Sequence, residues 1–198
     1  MVNPVSHTTS APLNNPVLTG AKYCLMVVLG VAVITASAKT TVPFWPIPMT
    51  LQTMAIMAIA VATGPRIAVA TMLAYLAVGA AGLPVFAGTP ERGIGIAYMM
   101  GPTGGYLAGY LIAAGFVGAL ARGRGAFGRF AVMMAGMVPV YLLGLAGLSG
   151  FVASEKVVAL GFTPFILGDT IKIALVALGS AAITRLTKHK PSNRADAA

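Results

Sequence analysis

Six apolar stretches, roughly 22–39, 49–63, 66–83, 103–121, 130–151 and 162–186, follow one another with only brief interruptions. A membrane-crossing helix needs ~20 mostly apolar residues, so this pattern leaves the chain little to build besides membrane spans. The second stretch is short by that criterion, and its ends are the least defined. Charged residues make up 9% of the chain, against the ~25% usual in soluble domains. A soluble enzyme, a secreted disulfide scaffold and a disordered chain are excluded on these grounds. The single cysteine, Cys24, has no internal partner for a disulfide. The expected fold class is an all-α integral membrane protein with six transmembrane helices. A polar N-terminal tail is expected over 1–20, a six-helix membrane domain over 21–187, and a basic, disordered C-terminal tail over 188–198.

The formal net charge of +9 could suggest nucleic acid, but the cations punctuate the apolar runs instead of forming one patch. Assigning alternate ends of the runs to opposite sides collects nine cations on one side: Lys22, Arg66, Arg122, Arg124, Arg129, Arg185, Lys188, Lys190 and Arg194. The other side collects three, Lys39, Arg92 and Lys156, with Glu91 and Glu155 beside two of them. By the positive-inside rule both termini are expected in the cytoplasm. Residues 23–35 followed by Ala36-Ser37-Ala38 also resemble a signal-peptide core and cleavage site. The first 21 residues, however, contain no Lys or Arg to form the basic flank such a signal needs.

Gly101, Gly105, Gly109 and Ala113 recur every four residues, a small-residue stripe that lets another helix approach closely. Ala32 and Ala36 repeat the spacing in the first run. Both stripes suit packing within the bundle as well as contact with another subunit. Asp169 and Lys172 are the charges out of place. They lie about seven and ten residues into the last run, roughly 10 and 15 Å below the outer boundary at 1.5 Å per residue. A charge at such depth costs on the order of 2.5–3.5 kcal/mol, so both must face protein or a water-filled cavity. Their i,i+3 spacing places them on one helical face. They suit either a ligand pathway or a salt bridge that only holds the bundle together.

Two outer connections can complete a pocket. Thr41–Pro48 carries three prolines, so it is not helical, and it holds Phe44 and Trp45, the only tryptophan. Trp45 fits both a pocket wall and an interfacial anchor. The long stretch 84–102 is punctuated by glycine; backbone of that kind is tolerated at membrane depth only inside protein or beside a cavity. Gln52 and Tyr98 add neutral hydrogen-bonding groups near the same end. Other chemistries lack their parts. No Lys follows a Gly, so there is no Walker A sequence. The two histidines, His7 and His189, lie in the tails. The stretch Gly147-Leu148-Ser149-Gly150 matches a nucleophile motif of intramembrane rhomboid proteases, but no histidine in the spans can serve it. No cofactor or metal is expected, and one embedded acid is a poor basis for a proton-driven pump. The residues describe a binding subunit for a small molecule with polar and apolar parts, and no energy source of its own.

Four motifs then stand together in order: Val42-Pro43-Phe44-Trp45-Pro46-Ile47-Pro48-Met49-Thr50-Leu51-Gln52-Thr53, Gly82-Leu83-Pro84-Val85-Phe86-Ala87-Gly88, Gly101-Pro102-Thr103-Gly104-Gly105-Tyr106, and Gly168-Asp169-x-x-Lys172. From about residue 22 to 186 the chain resembles the BioY family, the biotin-specific S components of energy-coupling factor (ECF) transporters. The resemblance implies an S-component bundle that captures biotin from outside with high affinity. It implies residence in the bacterial cytoplasmic membrane, with a transmembrane coupling protein, two ATPase subunits and the lipid bilayer as partners and no nucleic acid. It also implies that Ala32 and Ala36 meet the coupling protein, and that transport involves toppling of the subunit in the bilayer. On this reading Asp169 accepts the ureido N–H groups of biotin and Lys172 donates to its carbonyl. Trp45, Phe86 and Tyr98 flank the rings and chain, Gln52 and Thr103 complete the binding set, and Arg92 is the candidate partner of the carboxylate. The residues themselves leave open an S component for another vitamin or a ligand-free scaffold; direct ligand binding separates these.

Overall fold

A computed structural model of the chain describes residues 16–43 and 49–188. Among these residues lie eight helices and one pair of two-residue strands. In chain order they are α1 (Pro16–Lys39), β1 (Thr41–Val42), β2 (Met49–Thr50), α2 (Gln52–Thr63), α3 (Pro65–Ala80), α4 (Gly95–Met99), α5 (Gly104–Leu120), α6 (Ala126–Leu148), α7 (Ser154–Gly161) and α8 (Thr163–Lys188). Three helical stretches are long and apolar enough to cross a membrane: Thr19–Lys39, Ala126–Leu148 and Ser154–Thr187. The helices α2, α3 and α5 are apolar but only 12, 16 and 17 residues long.

The boundaries depart from the sequence expectation at four places. Helix α1 begins at Pro16, inside the stretch expected as a tail, since proline is well tolerated in a first helical turn. The run from residue 49 opens as a strand: Met49 pairs with Val42 and Thr50 with Thr41 in antiparallel register, so the fold is not purely helical. The connections 84–102 and 150–161 each contain a short helix, α4 and α7. Glu155 stands in the first turn of α7, where a carboxylate offsets the positive end of the helix dipole. Most of the expected tail over 1–20 and of that over 188–198 lies outside the described residues, as do Phe44 and Trp45.

The short helix α2 stands at the centre, packed against α1, α3, α5 and α8. It buries Gln52, Thr53, Ala55, Ile56, Met57 and Ala60. Its N-terminal end is preceded by non-helical backbone enclosed in protein: Leu51 N–H donates to the carbonyls of Ser37 (3.1 Å) and Thr40 (3.2 Å) at the end of α1. Its C-terminal end breaks sharply. Gly64 has φ +81°, a conformation open to glycine, and Pro65 restarts the chain as the first residue of α3.

The closest helix pairing is α5 on α6, and it uses the glycine stripe. A Cβ at Gly105 would strike the Leu143 carbonyl, and one at Gly109 the Val140 backbone. From the other side, a Cβ at Gly136 would come within 2.7 Å of Val117 Cγ2. This stripe therefore serves packing inside the bundle, where backbone contact replaces a hydrophobic drive that lipid does not provide. Helix α1 is peripheral and mostly exposed, whereas α6 is more deeply buried. It meets α3 where Gly30 lies against Thr71, with Ile34 and Ala38 buried on the same side.

Candidate functional site

The site begins with a backbone choice. Because the hairpin β1–β2 ends at Thr50 and α2 starts at Gln52, three nearly consecutive residues reach in three directions. The Thr50 carbonyl accepts a hydrogen bond from Lys172 Nζ at 2.9 Å on α8. Gln52 Nε2 donates to Tyr75 Oη at 3.4 Å on α3, and Tyr75 in turn donates to the Val85 carbonyl at 3.1 Å. Thr53 Oγ1 and Tyr110 Oη on α5 share a hydrogen bond of 2.6 Å. The start of α2 is thus a polar hub inside an apolar bundle, each group satisfied as burial demands.

On α8 the expected face forms. Asp169 and Lys172 are 5% and 8% exposed, and Lys172 Nζ lies 3.2 Å from Asp169 Oδ1. Tyr141 of α6 donates to the other carboxylate oxygen at 2.8 Å. Lys172 also approaches the Met49 sulfur at 3.6 Å, and Met49 packs on Gly168, where any side chain would displace it. This is the one ion pair among the described residues. Its carboxylate has an ammonium on one oxygen and a hydroxyl on the other, and its ammonium has a backbone acceptor besides. Both charges are therefore compensated without water, yet each partner is a single hydrogen bond that a ligand group can replace.

A second cluster is aromatic. Phe86 is fully buried, stacked on Tyr98 (ring centroids 4.8 Å, interplanar 16°) and edge-on to Tyr75 (5.3 Å, 88°). Gly79 makes room for it, since a Cβ there would enter the Phe86 ring. Tyr98 donates to the Ala87 carbonyl at 2.8 Å, which pins the connection before α4. The same connection is held from α1: Lys39 Nζ donates to the Thr89 carbonyl (2.5 Å) and to Thr89 Oγ1 (2.7 Å).

The structure therefore joins Asp169 and Lys172, links Gln52 to the Tyr75–Phe86–Tyr98 cluster, and leaves two candidates apart. Arg92 is exposed in the connection before α4, folded against Gly88. Thr103 is half-buried just before α5, and its side chain makes no cap bond to that helix. Trp45 lies outside the described residues, in the segment flanked by β1 and β2. Ala32 and Ala36 are exposed on α1. Sequence reasoning missed Tyr141, Tyr110, Tyr75, Thr53 and the Lys39–Thr89 contact. The tyrosines had a usable signal: a phenol in the middle of an apolar run must find a hydrogen-bond partner. Among the described residues, no three His, Cys, Asp or Glu side chains gather in a way that could hold a metal.

Comparison with known proteins gives concordant matches. The model of the BioY family matches residues 8–189. The chain is 36% identical to the probable biotin transporter BioY of Pyrococcus horikoshii over 80% of this chain and 93% of that protein. It is 34% identical to the biotin transporter BioY of Thermotoga maritima, over 78% of this chain and 91% of that one. The fold is similar to the crystal structure of the S component for biotin from an ECF-type ABC transporter. That match has a TM-score of 0.72 and 25% identity, and it covers 88% of this chain and 95% of the other.

Proposed function

The chain belongs to the BioY family, and from that premise we propose that it is the biotin-binding subunit of a vitamin uptake transporter, a multi-pass membrane protein and not an enzyme. The observation that carries this reading is the buried Asp169–Lys172 pair with its exchangeable partners, Tyr141 and the Thr50 carbonyl. Biotin's ureido group offers two N–H donors and one carbonyl acceptor. Asp169 accepts those donors, taking over the place of the Tyr141 hydroxyl. Lys172 turns from the Thr50 carbonyl to the ureido oxygen and keeps the carboxylate compensated. Charge-assisted bonds of this kind are roughly twice as strong as neutral ones.

Around this anchor, Tyr98 and Trp45 form the wall along the rings and the apolar tail. Phe86 holds Tyr98 in position, and direct contact of its ring with biotin requires their stack to open. Gln52 and Thr103 supply further polar contacts, and Arg92 meets the carboxylate at the mouth of the site, which suits its exposed place in the connection.

The six longer helices α1, α2, α3, α5, α6 and α8 are read as six spans with both termini in the cytoplasm of a bacterial cell. The support is the division of cations: Arg66, Arg122, Arg124, Arg129 and Arg185 at one end of these helices, and Lys39, Arg92 and Lys156 at the other. The binding site then opens outward. A transmembrane coupling protein meets α1 through the exposed Ala32 and Ala36, and two ATPase subunits supply the energy.

Calorimetry of the purified, detergent-solubilised protein tests the substrate, with riboflavin and thiamine as controls. Tight, biotin-selective, one-to-one binding is expected; a folded sample that ignores biotin sinks the reading. For the interface, Ala32→Trp is expected to leave biotin binding intact and to abolish co-purification with the coupling protein.

A further inference from the structure

At the end of α8 opposite the Asp169–Lys172 pair lies a buried cation with no acid beside it. Arg129, in the first turn of α6, is 8% exposed. Its Nη2 donates to Thr184 Oγ1 of α8 at 3.1 Å, while the solvent-shielded Nε has no partner among the described residues. A guanidinium cannot shed the cost of burial by losing its proton, so it needs an anion. The chain has little to offer. Glu91 and Glu155 lie in the connections at the other end, Asp169 is paired with Lys172, and Asp196 is outside the described residues.

The surroundings add positive charge. Arg122 lies against Gly64, Arg124 folds over Gly128, and Arg185 follows Thr184. The first turn of α6 has no side-chain cap, so its free N–H groups and dipole also favour an anion. Apolar side chains flank the cluster: Phe127 is 84%, Leu186 74% and Ile183 64% exposed.

We infer that this inner end of α6 and α8 binds the phosphate of an anionic phospholipid, with the guanidinium of Arg129 as the buried donor. Among the described residues the only side-chain hydrogen bond holding that guanidinium is the one to Thr184, so a modest turn brings Nε–H to a phosphate oxygen. Exposed apolar side chains beside the cations match a headgroup that carries acyl chains, which free phosphate lacks. Arg124 and Arg185 disfavour a choline headgroup, whose own cation would face them. The inference rests on the membrane embedding proposed above but not on biotin.

The test is thermal unfolding and native mass spectrometry of the delipidated full chain in detergent. Phosphatidylglycerol, phosphatidylcholine and inorganic phosphate are added in turn. Phosphatidylglycerol is expected to give a one-lipid adduct and to raise Tm by about 5 °C at a hundredfold excess over Kd. Arg129→Gln is expected to lose most of that rise, while Lys156→Gln, an exposed cation at the other end of the bundle, keeps it. An equal rise with phosphatidylcholine, an equal rise with inorganic phosphate, or a full rise in Arg129→Gln each overturns the site. If Arg129→Gln does not fold, Arg129→Lys decides, because lysine keeps the charge but lacks Nε–H: a reduced rise supports the site and an unchanged one refutes it. Biotin calorimetry on the same parent sample separates the two readings, since absent biotin binding with an intact lipid response removes the function and leaves this site standing.

Discussion

Lys172 and Arg129 are equally buried, each 8% exposed; Lys172 stands in the N-terminal half of α8, and Arg129 reaches Thr184 near the C-terminal end of the same helix. Their partners differ. Lys172 has Asp169 3.2 Å away and a backbone carbonyl besides, whereas Arg129 has one hydroxyl and no carboxylate. About twelve residues of α8 separate the two levels, roughly 18 Å of helix. Ile173, Val176 and Ala177 fill the interval with apolar bulk. Burial alone does not define a site for a charge. A paired charge can hold its geometry while empty and exchange partners with a weakly polar ligand; an unpaired one is incomplete until an anion arrives.

Breaking the Asp169–Lys172 pair should have the largest effect. Asp169→Ala strands Lys172 and removes the acceptor for the ureido donors. A loss of at least ~2 kcal/mol, about thirtyfold in Kd, is expected by calorimetry. Parent-like biotin affinity in this variant would move the site elsewhere. Tyr141→Phe keeps the ring that packs edge-on to Phe162 and removes only the 2.8 Å bond that orients the carboxylate. With no hydroxyl for the ureido N–H to displace, the variant should bind biotin about 1 kcal/mol tighter, near fivefold, and weaker binding would show that the hydroxyl stays on the carboxylate in the complex. Lys39→Met unties α1 from Thr89 and should lower Tm by about 2–4 °C, since roughly 1 kcal/mol is at stake in a chain of this size. The smallest effect sharpens the contrast between the ends: Arg129→Gln should leave biotin affinity within about twofold, because at some 18 Å from Lys172 it shares no partner with the Asp169–Lys172 pair. A larger change would show that the two ends of α8 are coupled.

Helices α1 and α2 show how far composition can be read. Both are apolar over most of their length, and nothing in those apolar residues says which helix is exposed. The 24-residue α1 is mostly bare and the 12-residue α2 is central. Gly30 against Thr71 and the Gly64-Pro65 break decide that difference, and both act through contacts distant in sequence or through backbone geometry. The glycine stripe of α5 was legible as a close-approach surface, but its partner, α6, was not.

The sequence alone determined what local chemistry can settle. Charge-poor apolar runs dictated a membrane protein, a 3.6-residue period put Asp169 and Lys172 on one face, and four ordered motifs pointed to the family. Tertiary structure decided which groups complete that face. The Thr50 carbonyl lies 122 residues from Lys172 in the chain and Tyr141 lies 28 residues from Asp169, separations that no helical period connects. Those contacts exist because a two-residue strand pair at Thr41–Thr50 sets the start of α2 over α8 and because backbone-close packing of α5 on α6 holds Tyr141 inward. Periodicity is a property of one helix, whereas a binding site is a property of how several helices meet.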